Sequence, residues 1–222
     1  MLIFLKHKSC IASHILSAVI IMGALLTASA QSFAKDTSKL YISGYMGINL
    51  GRDLDFSEDT NTISGTADIN NAPSFAGALG LRLSKNLRTE AELSYRKNDI
   101  DSLSGNFGRS DIGGDLSGWL GLINLYYDFD LDWKIKPYLS AGLGLGYYDA
   151  DVVSLNGARF SDDAYGFTWQ AGAGLQYRSG DKWFWTAGYR YLDSADLEFG
   201  DLDLDYNSHE IRLGVSYDLD WQ

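Results

Sequence analysis

One cysteine, two prolines and three histidines are all that the 222 residues contain of those types, and their scarcity removes several kinds of chemistry. Cys10 stands before the first apolar run rather than just after it, which argues against a lipidated N-terminus. Once the export segment described below is removed, Cys10, His7 and His14 go with it, and His209 is the one imidazole left. The remaining chain then has no disulfide, no thiol nucleophile and no cysteine-based metal site. Long apolar runs are missing too. Ile15 to Leu26 falls well short of the ~20 residues that a membrane-spanning helix needs, and no later run is longer. Positive charge is in deficit, 18 Lys and Arg against 29 Asp and Glu. That balance argues against nucleic acid, whose binding depends on neutralising phosphates.

What is present begins with an export signal. Lys6 and Lys8 precede the apolar run, and Ala28-Ser29-Ala30 follows it with the small-x-small cleavage pattern. Ser32-Phe33-Ala34 is a second candidate site. The expected organisation is a cleaved signal over 1–30, ending at Ala30, and one domain over 31–222.

That domain is rich in glycine and tyrosine and alternates apolar and polar residues with a period of two, the signature of strands. Leu40, Ile42, Met46 and Ile48 share one face, with Tyr41, Ser43, Tyr45 and Asn49 opposite. Seven further stretches repeat the pattern, near residues 75–83, 88–96, 122–129, 138–147, 167–178, 185–191 and 210–221. The stretch over 88–96 decides the orientation. Arg88, Glu90, Glu92 and Arg96 share a face opposite Thr89, Ala91, Leu93 and Tyr95. A charge turned to lipid near mid-bilayer costs about 2–4 kcal/mol for Arg or Lys, so in a membrane barrel the charged face points inward. Eight strands close an antiparallel barrel, and no other sheet spans a membrane. Links alternate as well: short at 84–86, 130–136 and 179–182, long and polar at 51–73, 98–117, 149–163 and 193–208. Short turns then face the periplasm, and four long links face outward. The predicted fold is all-β, an eight-stranded antiparallel up-and-down transmembrane β-barrel. A soluble, ligand-carrying barrel of lipocalin type would need the aliphatic face turned inward.

Three segments resemble the opacity-protein-like, eight-stranded outer-membrane β-barrel proteins, often described as surface antigens. They are Asn124-Leu-Tyr-Tyr-Asp-Phe129, Lys136-Pro-Tyr-Leu-Ser-Ala-Gly-Leu-Gly144, and Gly188-Tyr-Arg-Tyr-Leu192 followed by His209-Glu-Ile-Arg-Leu-Gly-Val-Ser-Tyr217. The resemblance implies a bacterial outer-membrane location and contact with outer-membrane lipid and lipopolysaccharide. It also implies insertion by the barrel assembly machinery, which such barrels engage through a terminal aromatic. Here that aromatic, Trp221, is penultimate to Gln222. The family covers adhesins, porin-like proteins and members without a known role, so a host or surface ligand is a further implied partner. No cofactor is implied.

Arg82, Arg88, Glu90, Glu92, Arg96, Arg178, Arg190, Glu210 and Arg212 all fall on the inner face. They read either as a charged channel or as a packed ionic network. An eight-stranded interior is just wide enough to be filled by side chains, which favours the network. Arg190 and Arg212 are expected to pair with inward carboxylates, Glu210 among them. Inward glycines such as Gly80, Gly142, Gly144, Gly172, Gly174 and Gly188 are expected to make room for the arginines. Trp133, Tyr177, Trp183, Trp185 and Trp221 lie toward one end of the strands, and Tyr95, Tyr147, Tyr165 and Tyr191 toward the other. Such rings are expected at both membrane interfaces. His209-Glu210 invites comparison with a lipid hydrolase, but neighbouring strand residues point to opposite faces and no motif fixes a serine nearby. Asp201, Asp203 and Asp205 begin like a calcium loop, yet Tyr206 stands where its glycine should be. The expectation is a surface protein without catalytic residues or metal, acting through its outer loops. A small porin-like channel is the alternative, and a lipid-modifying enzyme comes third.

Overall fold

The computed structural model describes residues 39–50, 54–58, 64–105, 108–153, 159–199 and 202–219. The export segment, both cleavage sites and Trp221 lie outside them. Ten strands follow in order: β1 (Lys39–Leu50), β2 (Leu54–Glu58), β3 (Ser64–Ile69), β4 (Ala72–Arg82), β5 (Leu87–Gly105), β6 (Gly108–Asp128), β7 (Ile135–Val153), β8 (Arg159–Ser179), β9 (Trp183–Phe199) and β10 (Leu202–Leu219). Eight of them, β1 and β4 to β10, close into a barrel through antiparallel pairing of successive neighbours. The seam is β1 against β10, in unbroken register from Leu40↔Leu219 to Leu50↔His209. Closure leaves no edge, so the ladder itself satisfies the backbone groups of the wall in a medium without water.

The alternation seen in the sequence becomes a difference between two sides of one wall. Tyr41, Glu90 and Asn124 are fully buried at 0% exposure, whereas Met46 and Leu143 are 59% exposed. The inner face is mainly polar, with Leu116, Leu120, Leu122 and Leu192 buried among the polar groups, and the aliphatic face lies mainly outside, the reverse of a lipocalin-type carrier.

One end of the barrel carries short turns. In the turn after β8, Gly180 takes φ +75°, a left-handed conformation that glycine adopts without a Cβ penalty. The other end differs from the sequence reading. The residues at 98–117, 149–163 and 193–208, taken as long links, are mostly strand: β5 and β6 stay paired as far as Gly105↔Gly108. β7 and β8 stay paired to Val153↔Arg159, and β9 and β10 to Phe199↔Leu202. Within the first link, β2 and β3 form a hairpin whose β2 pairs with β10 and whose β3 pairs with β5. This hairpin carries the wall on where β1 and β4 stop. Apolar alternation fades at this height, but hydrogen-bonded pairing does not need it.

Candidate functional site

The inner face gathers charge in layers. Nearest the short-turn end, Arg82 Nε donates to Asp218 at 3.2 Å. Arg88 follows, with Nε 3.1 Å from Asp128 Oδ2 and Nη1 2.9 Å from Glu90 Oε1. The hydroxyls of Tyr41 and Tyr45 donate to the same Glu90 carboxylate at 2.8 and 2.9 Å. Above them, Glu92 accepts from Arg190 Nη1 at 2.7 Å, Arg212 Nη1 at 3.2 Å and Asn124 Nδ2 at 3.0 Å. Gln170 joins this group through Arg190 and through the Asn124 side chain. Glu210 lies 3.1 Å from Arg190, 3.5 Å from Arg96 and 4.0 Å from Arg212. The layer above is neutral, with Tyr148, Thr168 and Ser194 joined through their hydroxyls.

Strand parity produces this convergence. Residues two apart on one strand point the same way, so Arg88, Glu90, Glu92 and Arg96 on β5 meet Arg190 on β9 and Glu210 and Arg212 on β10. Among the described residues the cluster holds five guanidinium groups against five carboxylates. A neutral sum matters because a buried ion left without a partner costs several kcal/mol. Two arginines also lie over aromatic rings, Arg88 3.8 Å from the Tyr126 centroid and Arg212 3.7 Å from that of Tyr45.

Eight of the nine residues singled out on the inner face therefore come together. Arg178 does not. Near the end of β8 it is exposed at the barrel mouth, donating to the carbonyls of Gly180 and Asp181 at 3.2 and 2.6 Å. It sits at the rim, below the last layer that the wall encloses. Tyr41, Tyr45, Asn124, Asp128, Gln170 and Asp218 complete the cluster, and their strand parity alone would have named them.

The inward glycines make room mainly for tyrosines rather than arginines. A Cβ on Gly80 would run into the Tyr41 ring, one on Gly188 into the Tyr138 hydroxyl, and one on Gly142 into Asn124. Only Gly172 of those six has arginine among its nearest neighbours, with Arg190 Cβ at 3.1 Å.

Outside, Trp133, Tyr177, Trp183 and Trp185 are exposed near the short-turn end. Further along the wall Tyr95 packs on Trp119 at 4.8 Å, Tyr147 on Tyr165 at 5.0 Å and Tyr191 on Trp169 at 5.5 Å. His209 faces this outer side, its Nδ1 hydrogen-bonded to the Tyr189 hydroxyl, while Glu210 points inward to arginines. Lying on opposite faces of β10, the two do not share a site. The aspartates at 201, 203 and 205 lie where side chains are not described.

Residues 20–218 match the family described as outer membrane protein beta-barrel domain. The chain belongs to that family. It is an outer-membrane β-barrel protein. Similar proteins include the outer membrane protein PagN of Salmonella typhimurium, 26% identical over 113 residues. That match covers 43% of this chain and only 47% of PagN. The 25 kDa outer-membrane immunogenic protein of Brucella abortus is 24% identical over 222 residues, covering 90% of this chain and 97% of that one. Among solved structures, the outer membrane protein OprG from Pseudomonas aeruginosa shares the fold with a TM-score of 0.55 at 14% identity, over 83% of this chain and 96% of that one.

Proposed function

We propose that this chain is an exported surface protein that acts through contacts made at the long-strand end of its barrel, with a lumen filled rather than conducting. Residues 1–30 are its cleaved signal, the short-turn end faces the periplasm, and the opposite end, reached by the chain at 51–73, 98–117, 149–163 and 193–208, faces outward. The exposed tryptophans and tyrosines form the two interfacial girdles. A host or surface ligand is met at the outer end, and lipopolysaccharide surrounds it. The barrel assembly machinery inserts it. It is not an enzyme.

The observation that carries this reading is the charge-balanced ionic cluster across the barrel, in which Arg82, Arg88, Arg96, Arg190 and Arg212 meet Glu90, Glu92, Asp128, Glu210 and Asp218. Little room for solute flow remains in an eight-stranded lumen filled this way. The chemistry open to a partner then lies at the two ends. The test compares cells carrying the intact protein with cells carrying a variant lacking residues 101–112, the tip of the β5–β6 hairpin. Surface attachment is expected to fall while the heat-dependent gel mobility of the barrel persists. Equal attachment by both, with the three other outer tips also dispensable, would refute the reading.

A channel is the second reading, and Arg96 favours it. Its Nε, Nη1 and Nη2 are buried without a hydrogen-bond partner among the described residues, as is Asn49 Nδ2. Such donors suit water in the upper lumen. Single-channel recording in planar bilayers separates the two readings, since steady conductance steps belong only to the second.

A further inference from the structure

At the short-turn end a cavity of about 670 Å³ opens among the turns, lined on its charged side by Arg82, Lys85, Lys134, Lys136 and Arg178 against Asp128, Asp130 and Asp218. All three acids are already engaged: Asp128 by Arg88, Asp218 by Arg82 and Asp130 by Lys136. Arg178 donates to main-chain carbonyls, with no side-chain hydrogen bond among the described residues. Among the described residues no carboxylate is within ion-pair distance of Lys85 or Lys134. Arg82 Nη2 is buried and without a partner. The Arg82 and Arg178 guanidinium groups both lie over the Phe184 ring, 4.1 and 5.0 Å from its centroid. A chain of formal charge −11 thus gathers five cations against three already engaged carboxylates in one concave site.

The rim carries a second feature. Tyr177 and Trp133, which face the outer wall, also line this cavity. Tyr177 belongs as well to an apolar furrow of about 1070 Å³, together with Ile135, Leu175, Trp185 and Ala187. Cationic and apolar recesses meet at one residue. We infer that this end binds an anionic phospholipid of the inner leaflet, its phosphate held by Arg178, Lys85, Lys134 and the free edge of Arg82, its acyl chain lying along the furrow past Tyr177. Guanidinium forks suit a phosphodiester, the lysines add point charges, and basic recesses at the membrane surface hold anionic headgroups in this way. A free phosphate would use the cations and leave the furrow empty. The leaflet, though not the site, rests on the proposal that the short-turn end faces the periplasm.

The test is calorimetric titration of the refolded mature protein in neutral detergent with dihexanoyl-phosphatidylglycerol, dihexanoyl-phosphatidylcholine and inorganic phosphate. Phosphatidylglycerol is expected to bind one to one and more tightly than the other two. Each surface cation contributes about fivefold to affinity for an anionic headgroup, so Lys85→Gln with Lys134→Gln lowers affinity about 25-fold. Both side chains are exposed, and heat-dependent gel mobility checks that the variant still folds. Equal affinity for phosphatidylcholine, or no loss in the variant, overturns the proposal. Inorganic phosphate binding as tightly as phosphatidylglycerol also overturns it, in favour of a free anion. A protease site inserted after Gly180 tests the orientation separately. Cleavage there in intact cells rules out the inner leaflet as the source even where binding in detergent is found.

Discussion

Arg190 Nη1 donates to Glu92 Oε1 at 2.7 Å across 98 positions of sequence, joining β9 to β5 through the middle of the barrel. Both side chains are buried, and Arg212 shares the same carboxylate. Glu92→Gln would leave two guanidinium groups facing an amide in a site with little water. Removing one partner of a buried pair costs about 3–5 kcal/mol. Urea unfolding in lipid vesicles is expected to show a loss of that order. Adding Arg212→Gln should give back part of it, because one of the two cations that shared the lost carboxylate is then gone. Strictly additive losses in the two single variants and the double would mean that the pair is not coupled.

Tyr45 lies against Gly214 of the facing strand, where a Cβ would run into its ring and stand 2.6 Å from Thr186 Oγ1. Tyr45 also supports Glu90 and Arg212, so it has no free direction in which to yield. Gly214→Val is therefore expected to destabilise the barrel by about 1–3 kcal/mol, the usual range for overpacking. Gly44, on the outer face of β1 with nothing within 4 Å of its Cβ position, is the control. Gly44→Ala should be near neutral in the same unfolding measurement, and equal losses at both positions would contradict the packing described.

The barrel was legible in the sequence because lipid outside and packed charge inside force a strict period of two. Arg88, Glu90, Glu92 and Arg96 together set the orientation of β5, and the rest of the wall follows from pairing. Three things were not legible. The strand extensions beyond Asn98 and Asp149 lack apolar alternation, since nothing there requires one face to be greasy, while the ladder that makes them strands leaves no composition signal. Arg178 has the parity of a lumen residue, but parity says nothing of height, and height places it at the rim. The partners of the inward glycines depend on strand register: Tyr41 stands directly opposite Gly80 and Tyr138 opposite Gly174, its hydroxyl reaching on to Gly188.

In the turn between β6 and β7, Lys136 Nζ lies 2.5 Å from Asp130 Oδ1. Its hydrogen bond and then its charge hold the Asp130 carboxyl below the usual aspartate range, with Lys85 adding a smaller pull. A carboxyl depressed in the folded state contributes stability above the ordinary aspartate pKa, about 3.9. That contribution is lost as pH falls through the lower, folded value. Both groups are half exposed, so the effect on stability is small and titration is the sensitive measurement. Carboxyl NMR should show Asp130 moving up toward the ordinary value in Lys136→Ala. An unchanged titration would mean that the pair is not kept in solution.

Leu213 sits on the outer face of β10, midway between Tyr217 and His209, and is 55% exposed. If that face meets acyl chains, this is the height at which charge is least tolerated. Leu213→Arg is then expected to cost about 2–4 kcal/mol in bilayer vesicles, the range for a basic residue on the lipid face near the midplane. The same change should cost far less in small detergent micelles, where the guanidinium reaches water more easily. Asn98→Arg, placed inward where the ionic cluster has ended, should show no such dependence on the surrounding amphiphile. Its loss, if any, would come from packing and would be the same in both media. A Leu213→Arg variant as stable in vesicles as the parent would mean that this face does not meet lipid, and the orientation of the whole wall would have to be reversed.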